Sequence, residues 1–326
     1  MIRVRFDPRH KLASKDPIPR GVEVVNDSAT VAAESEKGVS AWAIDNRLRP
    51  LFGERWSVAT ERPLFHLVSV ETQSGCNYSC HFCGVARTVD PRPPGQMSWL
   101  NINKIADELG EIDYDGRVAL FGNNEPLLDS RIVDIVRTFR KRVPAADIRL
   151  LTNGALLNPD LAVALFRAGL DCLVVNNYTD GVRLTRRVRD LIAVSERFAS
   201  YDLRISVRER DEILTSRAGT APNKPQPAGP ARGFCALPFT DLHVSYTGDV
   251  NLCCFDAHNR SSLGSLATQD LLQIWNSAAF TAHRERLLLG DRSGFPLCAA
   301  CDFDGFRSPT RSDPPMIRAD LVGLDE

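Results

Sequence analysis

The sequence predicts an α/β protein: a partial barrel of parallel βα units, followed by a smaller unit made of a β-hairpin and helices. Three observations predict it. Between residues 65 and 225, strand-like segments alternate with helical segments of ten or more residues, which argues for parallel βα units. Five to six units fit that span, too few for a closed eight-fold barrel. The stretch RAGTAPNKPQPAGPARG (217–233) then breaks the periodicity with Pro, Gly and Ala and reads as a linker or active-site loop, and beyond it the pattern changes to a hairpin. The expected organisation is an N-terminal extension (1–64), the partial barrel (65–230), the smaller unit (231–310) and a tail (311–326).

In chain order, IRVRF is a short strand at the start of an otherwise polar, loosely built extension. LFHLVSVET is the first barrel strand and NINKIADELGEI the first helix; GRVALFGNNEPLL is a strand running into a loop. DSRIVDIVRTFRKRV is helical, with Asp129 or Ser130 as its cap. DIRLLTNGALL is strand then loop, and NPDLAVALFRAG is a helix ended by Gly169. LDCLVVNNY, RLTRRVRDLIAVSERFA and LRISVRERD follow as strand, helix and strand, the arginines of that helix forming a solvated face. In LPFTDLHVSYTGDVNLCCFD two strands flank a turn at Thr247-Gly248-Asp249. TQDLLQIWNSAAFTAHRERLLLG gives one broken helix or two short ones.

With 43% hydrophobic and 25% charged residues the chain is an ordinary globular protein, and a net charge of -1 gives no support for a nucleic-acid or acidic-membrane partner. No run of about 18 apolar residues suggests a membrane span, and the first residues lack the apolar centre of a signal peptide, so a cytoplasmic location is expected. Nine cysteines, an odd count in a reducing compartment, argue for metal ligation over disulfides. Cys172, in the apolar run LDCLVV, is a small buried hydrophobe.

Three cysteines, Cys76, Cys80 and Cys83, stand in SGCNYSCHFCGVA, a loop directly after a strand. A zinc knuckle would need His81 as fourth ligand, and His81, adjacent to Cys80, is badly placed to fold back onto the same ion. A 4Fe–4S cluster with three protein-held irons and one open corner uses three thiolates directly. CNYSCHFC resembles the C-x3-C-x-aromatic-C signature of radical S-adenosylmethionine enzymes, with Phe82 in the aromatic place. The resemblance implies a partial (β/α)6 barrel whose open iron is chelated by S-adenosylmethionine. One-electron cleavage then gives a 5'-deoxyadenosyl radical that abstracts hydrogen from a C–H bond, with the cofactor carrying the hard chemistry. It also implies that Gly122, Asn123, Asn124, Glu125 and Pro126 (GNNEP), placed where the family has a Gly-Gly-Glu-Pro-like motif, bind the methionine part of the cofactor. Asn153 in TNG and Asn176 in NNY would meet ribose or substrate, and Arg208 would pair with the cofactor's carboxylate. Asn177, Tyr178, Arg217, Asp241 and His243 are placed toward a substrate pocket by position alone.

The remaining thiols are Cys235, Cys253, Cys254, Cys298 and Cys301. The hairpin folds Cys253 back toward Cys235, and the following helices return Cys298 and Cys301; four thiolates suit zinc or a cluster. The run YTGDVNLCCFD, LGSL, QIWNS and CAAC is similar to the auxiliary-cluster domain of the SPASM/twitch subfamily, in the shorter form with one auxiliary 4Fe–4S cluster. Cys235, Cys253, Cys298 and Cys301 are the expected ligands; adjacent strand residues face opposite ways, so only one of Cys253 and Cys254 is expected to reach the metal. Cys254 is then a packed small residue or a thiol that donates a hydrogen atom to a substrate radical.

The resemblance spans residues 65–305. It implies dehydrogenation or epimerisation of a natural-product intermediate such as an amino sugar or cyclitol, with epimerisation or crosslinking of a ribosomally made peptide as the alternative. An external one-electron donor such as flavodoxin or ferredoxin is also implied. Outside that class stand an iron–sulfur electron carrier, which has no need of an open iron, and a zinc-stabilised interaction protein.

Overall fold

The computed structural model describes residues 2–6, 22–26 and 64–305, apart from 182, 230, 232 and 304. The expected tail (311–326) and most of the N-terminal extension lie outside the described residues.

Among the described residues, ten strands form one sheet. Its centre is the parallel run β3 (Leu67–Val70), β4 (Arg117–Ala119), β5 (Asp147–Thr152), β6 (Cys172–Thr179) and β7 (Asp202–Glu209), adjacent in chain order. The N-terminal strand β1 (Ile2–Phe6) pairs parallel with β7, so it supplies the position after the fifth βα strand, and β2 (Val22–Asn26), a strand not expected from the sequence, pairs parallel with β1. On the opposite edge β8 (Asp241–Val244) pairs parallel with β3, followed by antiparallel β9 (Asp249–Asn251) and β10 (Ser262–Ser265). One sheet therefore runs through the barrel segment and the hairpin beyond it. No helix among the described residues is long and apolar enough to cross a membrane.

Alternation along the strands decides which face meets the helices. Val68, Val118, Ile148, Leu150, Leu173, Leu203 and Ile205 join one core with the apolar faces of α1 (Trp99–Glu111), α2 (Ile132–Arg142), α3 (Pro159–Arg167) and α4 (Arg186–Ala193). The intervening residues include the pairs Arg117–Asp147 (3.1 Å) and Arg149–Asp147 (2.8 Å), which line the opposite face. Three of the helices start on side-chain caps: Ser98, Asn158 and Thr185 accept from Asn101, Leu161 and Val188 N–H. The start of α2 differs from expectation. Arg131 holds the cap position, while Asp129, fully buried, accepts from the Arg131 N–H and pairs with its guanidinium. The arginine-bearing helix stops at Ala193, with a short 3-10 turn beyond (Ser195–Phe198), and its Arg186, Arg187 and Arg189 are solvent-exposed as expected.

The C-terminal part packs on the same core through α5 (Leu271–Trp275) and α6 (Ala278–Leu288), the two short helices allowed by the sequence. Trp275, 2% exposed, meets Phe65 edge-on at 5.3 Å and Phe280 at 5.5 Å, and the Arg284 guanidinium lies 3.9 Å from its ring centre. Replacing Trp275 with Ala should destabilise the chain by about 3–5 kcal/mol, read from denaturant unfolding. A loss below about 1 kcal/mol would mean that the two parts do not share this core.

Candidate active site

The chemistry-bearing loops all leave the C-terminal ends of the parallel strands. Between β3 and α1, the loop with Cys76, Cys80 and Cys83 is pinned at both ends. Gln73 bridges Gln96, and Gly75, at φ +85°, bridges Asn124 and accepts from the Glu125 N–H (2.9 Å). Phe82 is 5% exposed and packs on Tyr178 with ring centres 5.3 Å apart, which fixes the segment between Cys80 and Cys83 against β6. Asn153 Nδ2 donates to Asn77 Oδ1 (2.7 Å) and to Cys76 Sγ (3.6 Å). His81 is exposed, its backbone N–H tied to the Arg210 carbonyl, so its ring does not complete a zinc knuckle.

Burial raises the Cys76 thiol to about 11 and the Cys80 thiol to about 12; Cys83 pushes both the same way, and Cys76 also pushes Cys80. Yet among the described residues no three His, Cys, Asp or Glu side chains converge on a point that could hold one metal ion. Three soft thiolate donors on one loop suit an iron–sulfur cluster.

The GNNEP loop after β4 is built differently from expectation at one residue. Glu125, 2% exposed, accepts from Thr152 Oγ1 (2.5 Å), Leu127 N–H (3.1 Å) and Asn153 N–H (2.7 Å). Its carboxylate is consumed in joining this loop to the end of β5, so it positions Asn153 and does not itself reach a cofactor. Gly122 lies against β3, where an added Cβ would come within 3.2 Å of Glu71 Cβ. Pro126 opens the short turn Pro126–Leu128. Asn124 accepts from the Gly122 N–H through Oδ1 and leaves Nδ2, buried, with no partner among the described residues. That orphan donor beside the cysteine loop fits the oxygen-rich polar part of S-adenosylmethionine.

Two further expectations are corrected or narrowed. The Arg208 fork is closed on Glu212 (Nε to Oε2 3.0 Å), whose side chain is 3% exposed, so Arg208 does not stand open to a carboxylate ligand. Asn177 is spent on the turn into α4, donating to the Arg183 carbonyl and accepting from the Thr185 N–H. Asn176, by contrast, lies buried beside Tyr178, with Nδ2 3.2 Å from its hydroxyl. Asp241 and His243 are buried on β8, 3.8 Å apart, and His243 is level with Ser69 on β3 and Asn251 on β9.

Cys235, Cys253, Cys298 and Cys301 all line one cavity of about 20 Å³, otherwise walled by leucine, proline and phenylalanine side chains and by Arg292. Cys254 does not line it. Burial pushes the Cys235 thiol up to about 12 and the Cys298 thiol to about 11, and Cys253 and Cys301 move in the same direction. Four soft thiolate donors around one mostly apolar cavity suit a 4Fe–4S cluster.

Asn123, expected from the sequence to meet the cofactor, instead joins the two cysteine sites. Its Nδ2 donates to the Cys254 and Asp256 carbonyls (3.2 and 3.4 Å), and its Oδ1 accepts from Arg217 Nη2 (2.7 Å). The loop around 217–233 folds over the first site: Asn223 N–H donates to the His81 carbonyl, and a Cβ on Gly84 would collide with Thr220. His258 Nε2 also lies 2.8 Å from the Gly84 carbonyl.

Sequence reasoning also missed a buried charge cluster at the end of β3. Arg92 pairs with Glu71 (2.8 Å) and Asp90 (2.9 Å) and donates to the Asn123 carbonyl (2.5 Å). Two carboxylates share one guanidinium, and burial, against the pull of Arg92, pushes Glu71 up to about 7. A carboxyl raised on folding stabilises the fold fully below its ordinary value of 4.5, and that contribution is lost as pH rises through about 7. Thermal stability should therefore fall between about pH 5 and about pH 8, by about 3 kcal/mol at most, and Glu71→Gln should flatten the decline. An unchanged slope in the variant would exclude Glu71 as its source.

Comparisons with known proteins agree with this geometry. Residues 70–190 match the family model of the radical SAM superfamily, and residues 235–302 match SPASM, an iron–sulfur cluster-binding domain. The chain is 27% identical over 240 residues to the S-adenosyl-L-methionine-dependent 2-deoxy-scyllo-inosamine dehydrogenase of Niallia circulans, an alignment covering 73% of this chain and 93% of that protein. Among solved structures, BtrN in complex with AdoMet and 2-DOIA matches with a TM-score of 0.64 and 26% identity, over 74% of this chain and 94% of that one. BtrN in an open conformation matches with a TM-score of 0.55 and 20% identity, over 75% and 99%. With the three-thiol loop at the strand ends, the four-thiol cavity behind it and these matches together, the chain belongs to the radical S-adenosylmethionine enzymes of the SPASM subfamily, oxidoreductases that work with iron–sulfur clusters and S-adenosylmethionine.

Proposed function

We propose that the chain oxidises a hydroxyl-bearing carbon of a small polar ring, an amino sugar or cyclitol, to the carbonyl. The observation that carries this reading is the four-thiol cavity joined through Asn123 to the loop region of the three-thiol site. The similarity to a 2-deoxy-scyllo-inosamine dehydrogenase over nearly that protein's whole length supports the substrate class. When bound, the open-cornered cluster with S-adenosylmethionine supplies a 5'-deoxyadenosyl radical, and the auxiliary cluster an acceptor for the electron left on the substrate.

The protein's part is placement. Cys76, Cys80 and Cys83 would hold the first cluster and Cys235, Cys253, Cys298 and Cys301 the second. Asn153 orients Cys76, Phe82 seats the loop on Tyr178, and Glu125 holds Asn153 in place. Asn123 fixes the gap between the two sites, where Arg217, at φ +49° and with a buried Nε lacking a partner, has a donor left for a substrate hydroxyl. The 217–233 loop helps to keep water from that gap. The first cluster would receive its electron from a protein such as flavodoxin or ferredoxin, in the cytoplasm.

Anaerobically reconstituted, reduced protein should be incubated with S-adenosylmethionine and a panel of aminocyclitols and amino sugars that includes 2-deoxy-scyllo-inosamine. A product two hydrogens lighter, formed in step with 5'-deoxyadenosine, is expected; 5'-deoxyadenosine with every panel member unchanged would reject the substrate class. Dehydrogenation needs no hydrogen-atom donor, whereas epimerisation does, and Cys254 is the thiol of the second group that does not line the cavity. In deuterium oxide the oxidised product should carry no deuterium at the reacting carbon, and Cys254→Ala should still form it. Deuterium there, lost in Cys254→Ala, would instead establish epimerisation with Cys254 as donor.

A further inference from the structure

The auxiliary cavity holds one charged side chain besides its thiols. Arg292 is 3% exposed, lies in the cavity wall, and makes three hydrogen bonds, all to backbone carbonyls: Nε to Gly233 (3.0 Å), Nη1 to Phe303 (2.5 Å) and Nη2 to Phe234 (2.7 Å). Among the described residues no carboxylate pairs with it. The acidic group adjacent to a cysteine there, Asp302, is already held by Lys224 (2.6 Å) and by the Ser216 hydroxyl (2.8 Å). Carbonyls orient a guanidinium but leave its charge unneutralised, and a buried unpaired cation is costly unless something anionic offsets it. Here the offset is at hand, because Arg292 shares the cavity wall with Cys235, Cys253, Cys298 and Cys301, which bind metal as thiolates.

The carbonyls it uses flank the ligands on both sides. Gly233 and Phe234 precede Cys235, and Phe303 follows Cys301, so the guanidinium is fixed relative to the thiols from two segments. The fit is close: at Gly305, φ +102°, an added Cβ would come within 2.6 Å of Arg292 Nη2 and 2.0 Å of the Phe234 carbonyl oxygen.

We infer that Arg292 is a positioning residue for electron acceptance, a fixed buried cation that raises the reduction potential of the cluster held by Cys235, Cys253, Cys298 and Cys301. This rests on the auxiliary site holding a 4Fe–4S cluster. Accepting one electron adds a negative charge to a site already carrying four thiolates, and a cation held beside it stabilises the reduced form over the oxidised one. In water such a charge would be screened; in a wall of leucine and phenylalanine side chains it is not.

The test is a redox titration followed by electron paramagnetic resonance, on full-length protein with Cys76, Cys80 and Cys83 replaced by Ala so that only the auxiliary cluster reports. Arg292→Gln should lower the ratio of reduced to oxidised cluster at a fixed potential tenfold or more, about 59 mV for one electron. Arg292→Lys, which keeps the charge, should stay within about threefold of the parent. A cluster retained in Arg292→Gln at the parent potential overturns the inference, as does loss of the cluster from both variants, which would make Arg292 a loop staple only. Loss from Arg292→Gln alone, with Arg292→Lys titrating like the parent, supports the need for charge. A parent protein that binds no iron at the four thiols would instead refute the cluster assignment itself.

Discussion

Cys80→Ala will stop S-adenosylmethionine cleavage while leaving the auxiliary site filled. Cys80 is 6% exposed in a loop pinned through Gln73, Gly75 and Phe82, so a smaller side chain there leaves the loop's anchors in place. On the proposed assignment three thiolates hold the first cluster, and the loss of one leaves too few to keep it. Iron should drop from about eight to about four per chain, and 5'-deoxyadenosine should fall to the protein-free background. A variant that keeps full iron and cleaves the cofactor would show that Cys80 is not a ligand.

Removal of the auxiliary ligands should have the opposite pattern. Cys298→Ala with Cys301→Ala takes two walls from the cavity but leaves the Asn123 bridge and the strand-end loops untouched. Iron should again fall to about four per chain. Here 5'-deoxyadenosine should still form, within a few-fold of wild type, while the oxidised ring product disappears, because the substrate electron has lost its acceptor. The two variants together separate radical generation from oxidation, a distinction that one steady-state rate cannot make. Undiminished ring oxidation in the double variant would place the electron acceptor elsewhere.

The sequence exposed what depends on local pattern. Strand–helix alternation located β3 to β7, the Thr247-Gly248-Asp249 turn located the β8–β9 hairpin, and the spacing of Cys76, Cys80 and Cys83 located the first site. Strand alternation said only that one of Cys253 and Cys254 faces the metal; both lie beyond the end of β9, and it is Cys253 that lines the cavity. Long-range pairing was hidden. Nothing in IRVRF says that it will lie beside β7, and nothing in DLHV says that it will pair with β3, because a strand's partner is settled by the packing of the whole sheet.

Polar side chains were the least legible. Glu125 and Arg208 carry groups suited to a charged ligand, yet the fold places Thr152 and Asn153 against the first and Glu212 against the second. Arg92, in a proline-rich loop, and Arg292, in GDRSGF, gave no sequence signal at all. Their importance comes from burial and from what lies within 3 Å, which only the folded chain defines.

The most direct test of an open iron corner is electron paramagnetic resonance of the reduced, reconstituted wild-type protein, recorded with and without S-adenosylmethionine. Two overlapping 4Fe–4S signals are expected, one of which changes shape when the cofactor is added while the other stays fixed. A single signal, or two that both ignore the cofactor, would contradict a three-thiol cluster built to receive it.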